Sequence, residues 1–308
     1  MRRRWRTSLS PNLADAAIRP VAADLIALRA VARALPHAGQ GCPTTGLVTG
    51  NHAGLQRGRG LDFAELRAYQ PGDDARSIDW RRTARHGRPC TRVYQTERER
   101  SLRLLVDLGA SMRFGTRTVF KSVAAARAAT LLAWQAEAAG DRVAALVRHA
   151  AWREVPLQAR RAGVLALIHA LENEQGDRDR AAESFSSGLQ RLARRTHSGD
   201  RLVLLSDFRE LDAPAEALLQ QLGRRAECFW VAVHDPFEAE PPPCLLALTD
   251  GSESVTVDFR DSAVRARHVS AFAEHRARLE TLARGAQARL LHLATSTEPA
   301  MFLAAAGH

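Results

Sequence analysis

The pattern of hydrophobic positions changes near residue 100, where short apolar runs begin to alternate with longer helical stretches. Apolar runs of about four to eight residues indicate buried strands, whereas apolar positions repeating every 3.6 residues indicate helices. The runs are SLRLLVD, DRVAALVR, AWREV, RLVLLSD, AECFWVAV and ARLLHLA. Helical patterns cover 119–139, 159–172, 181–196, 213–222 and 263–284. This order predicts an α/β fold with a doubly wound, mainly parallel six-stranded sheet in the order 3-2-1-4-5-6.

Two further segments complete the predicted organisation. Apolar positions over 13–35 have helical spacing, and the glycine-rich stretch after Pro36 predicts a flexible connection, so 1–57 is a helix followed by a linker. Residues 58–99 are rich in acids and arginines and form, with the first segment, an N-terminal α+β extension packed on the main domain of 100–308. Asp250-Gly251 lies between two extended runs and predicts an inserted hairpin near 244–259.

The charge is unevenly distributed. The chain carries a net charge of +10, and residues 1–100 hold 18 basic and 9 acidic residues. Lys121 is the sole lysine, so the excess of arginine also fits a compositional bias of the source genome.

Four scattered cysteines give neither a disulfide framework nor a paired zinc-ligand spacing, and no apolar run is long enough to span a membrane. We therefore expect a cytoplasmic protein without membrane insertion.

Two carboxylates are candidates for chemistry. Asp107 ends the first strand and Asp207 ends the fourth, and these strands are neighbours in the predicted order. The carboxyl edge at such a reversal of winding is where doubly wound sheets bind ligands. With Ser111, the two acids offer the oxygen ligands that Mg²⁺ prefers. The alternative is that each aspartate only caps a helix that follows it.

A string of closely spaced charged, aromatic and turn-forming residues follows Gly58 and is called the hallmark below. The string GLDFAELRAYQPGDDARSIDWRRTARHGRPCTRVYQTERE resembles the signature of the domain of unknown function 58 family, and VDLGASM, LLSDF and VHDPFE resemble its later portion. The resemblance extends from about Gly58 to the C-terminus. It implies a von Willebrand factor A-like, Rossmann-type domain and a MoxR-type AAA+ ATPase as partner of an adaptor that recruits an unknown client protein.

The resemblance also implies a metal-ion-dependent adhesion site, which in A-domains uses Asp-x-Ser-x-Ser, a threonine and a further aspartate. Here Gly109 replaces the first serine, and the loop NEQGDRDRAAESFSSG lacks the threonine. Asp107, Ser111 and Asp207 remain, with Asp177 or Asp179 as substitutes in the second loop. Because two hydroxyl ligands are lost, we expect a degenerate site that binds Mg²⁺ weakly or not at all.

The charged residues of the hallmark have two interpretations. Aspartate–arginine pairs can form a strict internal network that fixes this segment, with Phe63, Tyr69 and Trp80 as apolar anchors. The same residues can instead form a docking surface for a partner. The candidates are Arg67, Tyr69, Asp73, Asp74, Arg76, Asp79, Trp80 and Arg85.

Three function classes follow from these observations. A non-catalytic adaptor in chaperone-like maturation of protein complexes is the reading that the family resemblance implies. A metal-dependent hydrolase using Asp107 and Asp207 is the second class, although no His-Glu-x-x-His, Gly-x-Ser-x-Gly or Cys/His pairing supports it. A nucleic-acid binder is the third, motivated only by the basic first third, whose few aromatic residues argue against a stacking platform.

Overall fold

The computed structural model describes residues 11–34, 57–69, 78–95, 101–173, 182–249, 254–298 and 300–302. The chain forms two compact units. One comprises 1–50 together with 100–308, and the other comprises 51–99. Among the described residues, no helix has the combination of length and apolar character needed to cross a membrane.

The larger unit is built on a six-stranded sheet whose order confirms the prediction. Its strands are β3 (Ser101–Asp107), β4 (Arg142–Arg148), β5 (Trp152–Ala159), β6 (Arg201–Ser206), β7 (Glu227–His234) and β10 (Arg289–Ala294). They lie in the order β10-β7-β6-β3-β4-β5. All neighbours are parallel except β5, which pairs antiparallel with β4 because only a short turn joins the two.

Helices cover both faces of this sheet. On one face, α4 (Lys121–Ala138) and α5 (Arg160–Glu172) pack on the sheet, and α2 (Ala22–Ala34) packs on these two helices. On the other, α6 (Phe185–Arg195), α7 (Ala213–Arg225) and α9 (Ser262–Gly285) pack on Leu105 and its neighbours. Burial on both faces explains why these strands are continuously apolar.

The N-terminal helix predicted over 13–35 is two helices, α1 (Pro11–Ile18) and α2, which corrects that prediction. Pro20 lies in the break, because proline lacks a backbone N–H and disfavours helical conformation in the residue before it. Both helices contact α4: the N–H of Phe120 donates to the carbonyl of Ala17 at 2.8 Å, and Trp134 Nε1 donates to that of Leu25 at 3.2 Å.

The smaller unit contains β1 (Arg57–Ala68), α3 (Trp80–His86) and β2 (Cys90–Gln95), with β1 and β2 antiparallel. That the segment 58–99 packs on the main domain remains a prediction. The connection predicted to be flexible falls largely on 35–56, outside the described residues. In the larger unit, the predicted hairpin is present as β8 (Leu245–Thr249) and β9 (Ser254–Asp258).

Candidate functional site

The two predicted carboxylates lie at the same edge of the sheet. Asp107 is the last residue of β3, and Asp207 directly follows β6, its parallel neighbour. The side chain of Asp107 is 2% exposed and that of Asp207 is 4% exposed. Neither caps a following helix, because the carboxylate of Asp212 caps α7 and α4 begins without a side-chain cap. The sheet order therefore brings together acids a hundred residues apart.

Asp107 is bound by an arginine from the neighbouring strand. Arg148, the last residue of β4, donates from Nε to Oδ1 and from Nη2 to Oδ2 of Asp107, both at 2.9 Å. Ser206 Oγ donates to Oδ2 at 2.8 Å, and the N–H of Gly109 donates to Oδ1 at 2.9 Å. Arg148 also donates to Glu210 Oε2 at 2.6 Å. The two parallel hydrogen bonds from Arg148 to Asp107 are the strongest geometry for an arginine–carboxylate pair.

Asp207 is bound by the lysine that begins α4. Lys121 Nζ lies 2.8 Å from Asp207 Oδ2 and 3.3 Å from Glu238 Oε1, and the Lys121 side chain is 1% exposed. Ser111 Oγ and the N–H of Arg209 each donate to Asp207 Oδ1 at 3.2 Å. Lys121 therefore joins the loop after β6 to Glu238, which lies beyond β7.

A third buried acid, Asp235, follows β7 at this edge and is 0% exposed. It caps the short helix α8 (Pro236–Ala239) in a capping box with Glu238. Thr116 Oγ1 and Thr295 Oγ1 donate to its two oxygens at 2.5 and 2.6 Å. Hydroxyls and backbone N–H groups thus satisfy the hydrogen-bonding capacity of this carboxylate.

The ionisation of these groups follows their surroundings. Burial raises the pKa of Asp107, and Arg148 and the N–H of Gly109 oppose this rise. Burial acts in the same direction on Asp207, but the charge of Lys121 outweighs it and lowers the pKa of Asp207 below its usual value. Burial lowers the pKa of Arg148, and the charge of Asp107 reverses this effect and raises it. The two aspartates thus depend on two different cations.

Three histidines lie beside Asp207. His275 Nε2 is 2.9 Å from the carbonyl oxygen of Asp207. The rings of His234 and His292, from β7 and β10, have their centroids 6.3 Å apart. Burial, aided by the charge of Arg276, lowers the pKa of His292 to about 4, and burial also lowers that of His234. Both rings are therefore neutral near pH 7.

The residues at this edge do not fit Mg²⁺ in this arrangement. The ion requires oxygen ligands in octahedral geometry, whereas both oxygens of Asp107 and Oδ2 of Asp207 already accept from cationic groups. Within the described parts of the chain, no cluster of three or more histidine, cysteine or acidic side chains is placed to hold a metal. Asp177 and Asp179, the suggested substitutes in the second loop, lie outside those parts.

The hallmark candidates divide into structural and exposed residues. Asp79 is buried and accepts from the N–H groups of Arg81 and Arg82, which caps α3. Trp80 is 67% exposed, and its role as an apolar anchor of this segment against the main domain stays a prediction. Tyr69 is half-buried and Arg85 is exposed. The side chain of Arg67 is not described, and Asp73, Asp74 and Arg76 lie outside the described residues.

Sequence reasoning did not predict that Arg148, Ser206 and Lys121 would bind the two acids. Arg148 looked like the ordinary end of a strand, and Ser206 like part of a buried run. Lys121 did carry a signal, because it is the sole lysine among 44 basic residues. A buried structural role for the sole lysine could have been proposed from the sequence, besides the compositional bias that explains the many arginines.

The fold and this edge define a doubly wound α/β protein with ion pairs at the usual ligand-binding edge of its sheet. Residues 65–278 match the family described as "Protein of unknown function DUF58". The chain is also 31% identical over 258 residues to Uncharacterized protein Rv1480 of Mycobacterium tuberculosis and to Uncharacterized protein Mb1516 of Mycobacterium bovis, covering 82% of this chain and 80% of each relative. The chain therefore belongs to the DUF58 family. The match confirms the family resemblance, although the matched residues 65–278 are fewer than the predicted range from about Gly58 to the C-terminus.

Solved structures align more remotely. A conserved hypothetical protein BatB from Bacteroides thetaiotaomicron aligns at a TM-score of 0.41 with 10% identity, over 67% of this chain and 95% of that chain. The von Willebrand factor type A structure from Catenulispora acidiphila aligns at 0.39 with 14% identity, over 70% of this chain and 42% of that chain. Family membership rests on the sequence matches and not on these alignments.

Proposed function

We propose that this protein is a non-catalytic adaptor that binds a partner protein through helix α3 of the family hallmark. The resemblance that introduced the family implies a MoxR-type AAA+ ATPase as this partner, and an unidentified client protein to be recruited for chaperone-like maturation. A cytoplasmic location stays a prediction. The observation that carries the proposal is the exposure of Trp80 beside a row of arginines.

Helix α3 displays an aromatic ring and positive charge together. Trp80 is 67% exposed, and Arg81, Arg85 and Arg88 are exposed as well. Arg81 and Arg85 are four residues apart and lie on the same side of the helix, and Arg88 follows the helix after Gly87. Tryptophan and arginine are the side chains that most often dominate binding energy at protein interfaces. This composition fits a partner with an acidic, partly apolar surface.

The helix is held at both ends, so its side chains are presented from a fixed backbone. Asp79 caps the beginning, and Gly87 ends it with φ +67°, a left-handed conformation that glycine adopts readily. The N–H of Asp79 donates to the carbonyl of Cys90, and the N–H of Cys90 donates to Thr83 Oγ1 at 3.1 Å. A preordered contact surface loses less conformational entropy when a partner binds.

The hydrolase alternative finds no support at Asp107 and Asp207. A general base must have an oxygen free to take a proton from water within hydrogen-bond reach. Here Arg148 donates to both oxygens of Asp107, Lys121 and Ser111 donate to those of Asp207, and the two side chains are only 2% and 4% exposed to water. We therefore favour a binding function over a catalytic one.

The test measures binding of a MoxR-type ATPase from the same genome, by biolayer interferometry, to wild type and to Trp80→Ala. Truncation of a hot-spot tryptophan costs at least about 2 kcal/mol, so we expect roughly 30-fold weaker binding. Met301→Ala is the matched control, because Met301 is also 67% exposed. Equal affinity of wild type and Trp80→Ala would contradict a role for α3.

Thermal unfolding separates docking from the internal network. If Trp80 serves a partner, Trp80→Ala leaves the Tm unchanged while binding falls. If Trp80 anchors the segment against the rest of the chain, the Tm falls as well. Titration with DNA and RNA at several salt concentrations tests the third class, since binding to phosphates through arginines weakens steeply with salt.

A further inference from the structure

We propose that the carboxyl edge of this sheet works without a divalent cation, because Arg148 and Lys121 place a guanidinium and an ammonium group where such an ion would bind. This inference concerns the chemistry of the edge itself. It holds whether or not α3 is the docking surface.

Each buried acid of the cluster already faces a cation. Asp107, Asp207 and Glu238 face Arg148, Lys121 and Arg209 in direct ion pairs. All of these side chains except Arg209 are at most 7% exposed. A divalent ion would have to displace two buried cations that make several hydrogen bonds.

Gly109 gives an independent indication. It occupies the position at which the Asp-x-Ser-x-Ser pattern has its first serine. A Cβ atom at residue 109 would lie 2.9 Å from Arg148 Nη2 and 3.1 Å from Arg148 Nε. The guanidinium cannot yield freely, because Asp107 and Glu210 hold it. A side chain at position 109 would therefore crowd the Arg148–Asp107 pair, so a glycine at this position fits the presence of Arg148.

The exposed ends of the cluster are then its contact groups. Arg209 is 45% exposed and Glu210 is 46% exposed. Among the described residues, the exposed side chains of this cluster are thus one positive and one negative group. Binding at this edge should therefore be insensitive to chelators.

The direct test uses the full-length protein after treatment with EDTA and dialysis. Titration with Mn²⁺ in a calorimeter is expected to show no saturable binding, and Mg²⁺ is expected to leave the Tm unchanged. One-to-one binding of Mn²⁺ that Asp207→Asn abolishes, or a Tm raised by Mg²⁺, would overturn the proposal.

Labelling of the single lysine gives a test that needs no variant. Lys121 carries the only side-chain amine in the chain, so mass spectrometry reads its reaction with an amine-specific reagent directly. We expect the native protein to protect Lys121 equally with and without Mg²⁺. Faster labelling in Mg²⁺ would mean that the ion competes for Asp207, which refutes the proposal.

Making Gly109→Ser both in the wild-type protein and in the Arg148→Met variant tests the link between Gly109 and Arg148. Gly109→Ser should lower the Tm by several degrees in the wild-type background. The same substitution should cost little in Arg148→Met, where the guanidinium that meets the new Cβ is gone. Equal Tm losses in the two backgrounds would show that Gly109 is independent of Arg148.

Discussion

Replacing Lys121 with methionine probes the ion-pair cluster most directly. Methionine keeps most of the length and apolar volume of lysine but removes the ammonium group, and Lys121 is 1% exposed. Asp207 then loses its partner at 2.8 Å and Glu238 loses one at 3.3 Å. We therefore expect Lys121→Met to destabilise the folded protein at neutral pH.

The magnitude follows from what remains around Asp207. Removing one partner of a buried ion pair costs about 3–5 kcal/mol. Ser111 and the N–H of Arg209 still donate to the carboxylate, so the lower end, about 3 kcal/mol, is expected. At roughly 2–4 °C per kcal/mol for domains of this size, the Tm should fall by about 6–12 °C. Arg161→Met, at an exposed position on α5, is the control and should change the Tm little.

The assay is chemical unfolding of wild type, Lys121→Met, Asp207→Asn and the double variant. The double variant should lose less stability than the two single losses together, because either substitution already breaks the pair. The effect of Lys121→Met should also shrink as the pH falls below 3.8. In wild type the lowered pKa of Asp207 stabilises the fold above its unfolded value of 3.8, and that stabilisation is lost at lower pH. Additive losses, or a loss for Lys121→Met no larger than that of Arg161→Met, would refute the pairing.

Two further predictions concern the rest of the fold. The pKa of His292 is lowered to about 4, so the unfolded chain takes up its proton first as the pH falls from 6.5, and stability present at pH 7 is lost towards pH 4. Because His292 is only half-buried, its contribution to the free energy of unfolding is roughly 1–2 kcal/mol. His292→Phe should therefore flatten the curve of unfolding free energy against pH. The control His197→Gln, at an exposed site, should leave that curve unchanged. Gly188→Ala should lower the Tm strongly, because its Cβ would lie 2.2 Å from Trp152 Cε2; an unchanged Tm would mean that the indole moves aside without cost.

The sequence could predict the sheet because each strand has a recognisable pattern of apolar residues within its own segment. Continuous apolar runs such as RLVLLSD are typical of strands buried on both faces, and right-handed crossovers leave few orders for them. The acid at the end of a buried run also marked the ligand-binding edge, which placed Asp107 and Asp207 together. The single helix predicted over 13–35 was wrong, because the periodic signal continues across Pro20 although the backbone hydrogen bonds do not.

By itself the sequence determined the fold, the edge and the two carboxylates, since these depend on patterns within one strand at a time. Only the tertiary structure decided what those carboxylates bind. Arg148 and Lys121 lie 41 and 86 residues from their partners, and nothing local distinguishes a pairing cation from a surface one. Their role depends on which side chains share a buried volume, where desolvation makes an unpaired charge costly and so selects the pairs.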